Sequence, residues 1–107
     1  MNNNFGIGDF SFSCICDTLK KYDDIERALI FGSRAKGNYK KGSDIDIAIY
    51  GTNLNKITAL NLAGKLNEEA PIPYFVDVVT PQYNNNPDLV DHIERVGVEF
   101  YTKLVAV

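Results

Sequence analysis

Between Asp44 and Tyr50 the chain reads Asp-Ile-Asp-Ile-Ala-Ile-Tyr, and this strict alternation restricts the fold more than any other feature. Successive side chains of a strand leave opposite faces, so Ile45, Ile47 and Ile49 point one way and Asp44, Asp46, Ala48 and Tyr50 the other. An isoleucine face must be covered by other parts of the fold. The other face carries two carboxylates about 7 Å apart along the backbone. Aspartate is depleted in strands and rarely buried unless it is paired or bound to metal. No basic residue follows within the strand. A divalent cation would remove the repulsion, and hard oxygen ligands favour Mg²⁺ or Mn²⁺.

The rest of the chain alternates helical and extended patterns around that strand. Phe12, Ile15, Cys16, Leu19 and Tyr22 recur at helical spacing from Ser11 to Tyr22, and Ala28-Leu29-Ile30-Phe31 suits a buried strand. Gly32-Ser33 follows, with a short helical turn over 35–38. A second long helix is expected over 55–69, with Ile57, Leu60, Ala63 and Leu66 toward the core and Pro71 and Pro73 as its stop. Tyr74 to Val79 reads as a third strand with Phe75, Asp77 and Val79 on one face. Asn86-Pro87 is an N-cap and first-turn pair for a last helix ending before Gly97, and Val98 to Tyr101 suits a short strand. The expected class is α/β (α+β), a small mixed sheet with helices packed on it.

The chain has 107 residues, enough for one core, and residues 11–107 read as a single domain after a flexible N-terminus over 1–10. Its net charge is −3, which argues against holding nucleic acid by bulk charge. No apolar run approaches a membrane span, and the Asn-rich start lacks the pattern of a secretory signal, so a cytoplasmic protein is expected. Cys14 and Cys16 read as reduced small hydrophobes. The single histidine, His92, is expected on the surface of a polar helix.

Asp77 is the natural third ligand of the cation if its strand neighbours that of Asp44 and Asp46. Gly32-Ser33 supplies the complementary half of a site. A glycine lets a phosphate approach the backbone, and a Ser hydroxyl with the free N–H groups of a helix start can hold its oxygens. Arg34 and Lys36 add cationic reach. A phosphate cradle facing carboxylates and metal is the requirement of phosphoryl or nucleotidyl transfer.

The segment GSRAKGNYKKGSDIDIAIY, Gly32 to Tyr50, carries Gly-Ser, ten residues, then Asp-x-Asp. This resembles the signature of the polymerase-β-like nucleotidyltransferases, and within them the minimal nucleotidyltransferase (MNT) family. The third Asp within Phe75-Val76-Asp77-Val78-Val79 and the tail with Asn86-Pro87, Ile93, Gly97-Val98 and Tyr101 are similar too. The resemblance implies the polymerase-β-like fold and metal ligands at Asp44, Asp46 and Asp77. It further implies a nucleotide-binding group at Gly32, Ser33, Arg34 and Lys36, two Mg²⁺ ions and ATP or another nucleoside triphosphate as donor. Members of the MNT family are usually paired with a helical HEPN protein, a toxin that the MNT protein silences by attaching AMP. Two other readings stay open: an antitoxin acting by contact alone, and a catalytic subunit relying on another chain to bind a small acceptor.

Overall fold

A computed structural model describes residues 4–103. Helix α1 (Asp9–Leu19) precedes strand β1 (Arg27–Phe31), which runs directly into the one-turn helix α2 (Gly32–Lys36) and, after a loop, strand β2 (Ile45–Tyr50). Helix α3 (Thr58–Gly64) continues into a π-helical turn over Lys65–Glu69. Strand β3 (Val76–Val79), a 3₁₀ turn (Pro81–Tyr83), helix α4 (Pro87–Val96) and strand β4 (Val98–Thr102) complete the order. The four strands lie in the order β3-β2-β1-β4. β1 is antiparallel to both β2 and β4, whereas β2 and β3 are parallel, with α3 in the crossover that a parallel pair requires.

The sheet is covered unequally on its two faces. Ile45, Ile47 and Ile49 join Ala28, Ile30 and Val76 in a core closed by Phe12, Ile15, Cys16 and Leu19 of α1 and by Leu62 and Leu66. On the other face Leu29, Phe31 and Ala48 pack against Ile93 of α4 in a smaller cluster. Asp46 belongs to this second face, so the alternation expected for Asp44 to Tyr50 is the alternation found. Among the described residues no helix is long and apolar enough to cross a membrane.

The stretch read as a flexible N-terminus is different from residue 5 onward. Phe5 and Ile7 are buried in the main core, and Phe5 stacks on Phe12 with ring centres 6.4 Å apart. Residues 1–3 lie outside the described residues.

The second long helix also departs from expectation. Asp24 accepts hydrogen bonds from the Asn55 N–H and the Thr58 hydroxyl, which starts the helix at Thr58 and turns that residue inward. Burial opposes the Asp24 charge, but these donated bonds hold its carboxyl below the ordinary value. Thr58, Leu62 and Leu66 then face the core, four residues apart, and Ile57 and Leu60 are exposed. Hydropathy marked the apolar residues; the anchor at Asp24 decided the rotation.

Two carboxamides finish the sheet where strand partners run out. Asn67, in the π turn, accepts from the Val76 N–H and donates to the Val76 carbonyl, both at 2.8 Å. Gln82 does the same for Gly51, at 3.1 and 2.9 Å. At α4 the expected cap is present: Asn86 accepts from the Asp88 and Leu89 N–H groups, and Pro87 opens the helix.

Candidate active site

The parallel pairing of β2 and β3 sets Ile45 opposite Val76 and Asp46 opposite Asp77. Directly opposed residues share a face, so these carboxylates stand side by side although distant in sequence. On its other flank Asp46 is paired with Phe31 of β1, the residue before Gly32. Asp44 precedes β2 by one residue, and the bond from the Ile45 N–H to the Phe75 carbonyl, 2.9 Å, continues the ladder there. Asp44 and Asp77 are exposed and Asp46 is half-buried. The sheet thus sets Asp46 beside Asp77, with Asp44 just ahead of β2.

Burial, then the charges of Asp77 and Asp44, push the Asp46 carboxyl above its ordinary value, while His92 pulls it down. Among the described residues the ion pairs engage Asp17, Asp23, Glu69, Asp91 and Glu99 instead, so no lysine or arginine relieves the trio. Three uncompensated carboxylates on one face are hard donors suited to Mg²⁺ or Mn²⁺. Their side chains are not drawn together: among the described residues no three His, Cys, Asp or Glu groups converge closely enough to hold a cation. The backbone supplies the arrangement, and side-chain rotation must complete it.

Gly32 has a second purpose beyond the phosphate approach expected of it. Its φ is +70°, and a Cβ there would collide with Oδ2 of Asp46 and lie 3.3 Å from its Cγ. Glycine is therefore needed both for the left-handed turn from β1 into α2 and to leave room for the carboxylate. Ser33 follows in the first turn of α2, where backbone N–H groups have no intrahelical acceptor. It is partly exposed. The N–H groups and hydroxyl of this turn thus lie one residue from the position paired with Asp46. Lys36 is exposed in the last residue of α2, at the other end of the helix from Gly32.

Arg34, expected beside the phosphates, is buried and its donors are engaged within the fold. Its side chain is 1% exposed. Nε and Nη2 donate to the Ser43 carbonyl at 3.1 and 2.8 Å, and Nη1 donates to the carbonyls of Phe5 and Gly6 at 2.9 and 3.2 Å. The guanidinium also lies 5.1 Å from the Tyr39 ring centre and 4.8 Å from that of Tyr74. With its fork used on backbone carbonyls, it ties the N-terminal segment, α2 and the loop entering β2 into one unit, directly before Asp44. A surface depression of about 340 Å³, lined by residues including Cys14, Thr18, Lys65 and Pro71, lies on the face of the sheet away from the carboxylates.

Residues 14–104 match the family described as polymerase beta, nucleotidyltransferase. The chain belongs to that family. No curated protein matches the sequence. Among solved structures, one chain of a toxin–antitoxin complex crystallised with AMP-PNP superposes with a TM-score of 0.68 at 21% identity, covering 91% of this chain and 75% of that one. One chain of the MntA–HepT toxin–antitoxin complex superposes at 0.65 and 21% identity, covering 90% and 74%. One chain of the complex of the tri-AMPylated Shewanella oneidensis HEPN toxin with its MNT antitoxin gives 0.65 and 22%, covering 88% and 71%. At this identity the likeness establishes the polymerase-β-like fold expected from the motif.

Within this nucleotidyltransferase fold, His92 is the residue that sequence reasoning misplaced. It is partly buried on α4, its ring edge-on to Phe31 with centres 6.2 Å apart, and it acts electrostatically on Asp46. The usable signal was the strong amphipathy of α4, which had to lay one face on the strand pair that carries the carboxylates.

Proposed function

We propose that this nucleotidyltransferase moves AMP from ATP to a hydroxyl of a separate, helical HEPN-type protein and acts as its antitoxin. The observation that carries the reading is the pairing of Asp46 with Asp77 beside a Gly32–Ser33 turn. Asp44, Asp46 and Asp77 would hold Mg²⁺, whose chemistry is to neutralise phosphate charge and polarise the phosphoryl oxygens. Gly32 and Ser33 bind the β- and γ-phosphates through backbone N–H groups and the Ser hydroxyl. Asp77 accepts the proton of the acceptor hydroxyl. That oxygen attacks the α-phosphorus, the bond to the α–β bridging oxygen breaks, and pyrophosphate leaves.

The partner follows from geometry and from the relatives. An open sheet face with exposed Asp44 and Asp77 does not by itself orient an acceptor, and orientation supplies several kcal/mol of catalysis, about 7–11 at its upper end. A second chain can provide both the wall and the hydroxyl. The toxin–antitoxin complexes of the same fold, one with an AMPylated HEPN toxin, support that choice.

Mass spectrometry of the candidate partner, after incubation with this protein, Mg²⁺ and each nucleoside triphosphate in turn, tests the reading. An added AMP mass, lost with Asp77→Ala, is expected. Neutralisation of the partner by an Asp44→Ala, Asp46→Ala double variant, with no added mass in wild type, would replace transfer by contact. Rapid transfer to a small alcohol or sugar without a partner would overturn the choice of acceptor.

A further inference from the structure

We infer that Asn67 is a positioning residue for Asp77, acting through the backbone of Val76. The inference rests on the proposed transfer for its kinetic part only. Among the described residues β3 is an edge strand, hydrogen-bonded to β2 on one side and to no strand on the other. The Phe75 carbonyl points toward β2, where it accepts from Ile45, so the polar groups of Val76, next along the strand, point to the open edge. Val76 itself is fully buried. Its N–H and C=O are the groups that Asn67 engages, each at 2.8 Å, so one carboxamide replaces a missing strand.

The π-helical turn explains how Asn67 arrives there. Lys65–Glu69 widens the end of α3, and such insertions frequently accompany functional sites. The peptide carrying the Val76 carbonyl also carries the Asp77 nitrogen. Fixing that carbonyl therefore fixes the plane from which the Asp77 side chain departs. A displacement of about 1 Å at a reacting group can cost about 100-fold in rate, and outer partners of metal ligands commonly contribute 10- to 100-fold in affinity or activity.

The molecule contains its own control. Gln82 holds Gly51 with the same pair of bonds, but beyond the end of β2 opposite to Asp44 and Asp46. Asn67→Ala and Gln82→Ala each remove a two-bond clamp, and only the first adjoins a carboxylate of the site. The test compares both variants and Asn67→Asp, which keeps the acceptor for the Val76 N–H and loses the donor to its carbonyl. Three quantities are read well below the melting temperature: hydrogen exchange at the Val76 amide, Mn²⁺ binding with a non-hydrolysable ATP analogue by electron paramagnetic resonance, and kcat and KM for transfer to the partner.

In Asn67→Ala the Val76 amide should lose protection, Mn²⁺ affinity should fall about tenfold, and kcat should fall ten- to a hundredfold with KM for ATP within about threefold. Asn67→Asp sets a carboxylate oxygen against the Val76 carbonyl, so kcat should fall at least as far, and it remains informative if the alanine variant fails to fold. Gln82→Ala should match wild type in Mn²⁺ binding and kcat. Equal behaviour of the Asn67 and Gln82 variants in these two measurements would overturn the inference. If wild type transfers nothing to a partner, the functional reading fails, while amide exchange and Mn²⁺ binding still decide the role of Asn67.

Discussion

Asp46 and Asp77 are register partners on parallel strands, so their backbones hold the two carboxylates on one face before any ligand arrives. A parallel pair has no hairpin to set its register; the isoleucine face of β2 and buried Val76 do so. Because side chains alternate, a slip of one residue would send Asp77 into the core and Val76 or Val78 to the site. Chemistry and core packing therefore depend on the same register.

Asp46→Asn separates the two contributions. Burial and the neighbouring Asp77 and Asp44 raise the Asp46 carboxyl in the folded protein, so the fold binds that proton more tightly than the unfolded chain. Its ionisation thus weakens the fold as pH rises from the ordinary carboxylate value through the raised one. Without divalent metal, the asparagine variant should melt at or above the wild-type temperature at pH 7, with the difference vanishing near pH 3. Nucleotidyl transfer should fall by about 10³ or more. A marked loss of melting temperature at pH 7 would make Asp46 a structural residue.

Ser33→Ala removes a hydroxyl from the first turn of α2 and should leave the fold intact. Loss of one hydrogen bond to a charged oxygen corresponds to about 1.5–3 kcal/mol, so MgATP binding measured by calorimetry should weaken roughly 10- to 150-fold. Unchanged affinity would remove the hydroxyl from the phosphate site.

Arg34→Ala should act on stability. It removes the donor from the buried Phe5 carbonyl and from the partly exposed carbonyls of Gly6 and Ser43, and an unsatisfied buried group costs about 1–3 kcal/mol. Urea unfolding should show a loss of at least about 1–3 kcal/mol. Arg34→Lys should recover less than half of it, because an ammonium cannot span three carbonyls as a planar fork does. A wild-type midpoint with weakened MgATP binding would return Arg34 to the phosphates.

Gly32→Ala places a methyl group against the Asp46 carboxylate at a φ of +70°. Backbone strain of this kind costs about 1–3 kcal/mol. Thermal unfolding should register that loss, and transfer should drop more than tenfold because Asp46 must move. Wild-type activity in this variant would show that the carboxylate has freedom to spare.

The carboxylate face was legible because period two is a backbone property: once Ile45, Ile47 and Ile49 faced a core, Asp44 and Asp46 had to face away. The cap at Asn86 was legible for a similar reason, being a contact between near neighbours in the chain. What stayed hidden depended on distant backbone atoms. No spacing announces that Arg34 will find the carbonyls of Phe5, Gly6 and Ser43, and a basic residue beside Gly-Ser looks like a phosphate ligand by its chemistry alone. Leu60 was misplaced because Asp24, far upstream, sets the rotation of α3. The exchange of bonds between Asn67 and Val76 is equally invisible in composition.

The packing of Phe5 and Ile7 bears on how this protein is handled at the bench. An expression clone trimmed to begin at α1 would remove two core side chains and two of the carbonyls that receive Arg34. Soluble yield should therefore track the integrity of these few residues, and a handle on a spacer ahead of Met1 is the sounder choice.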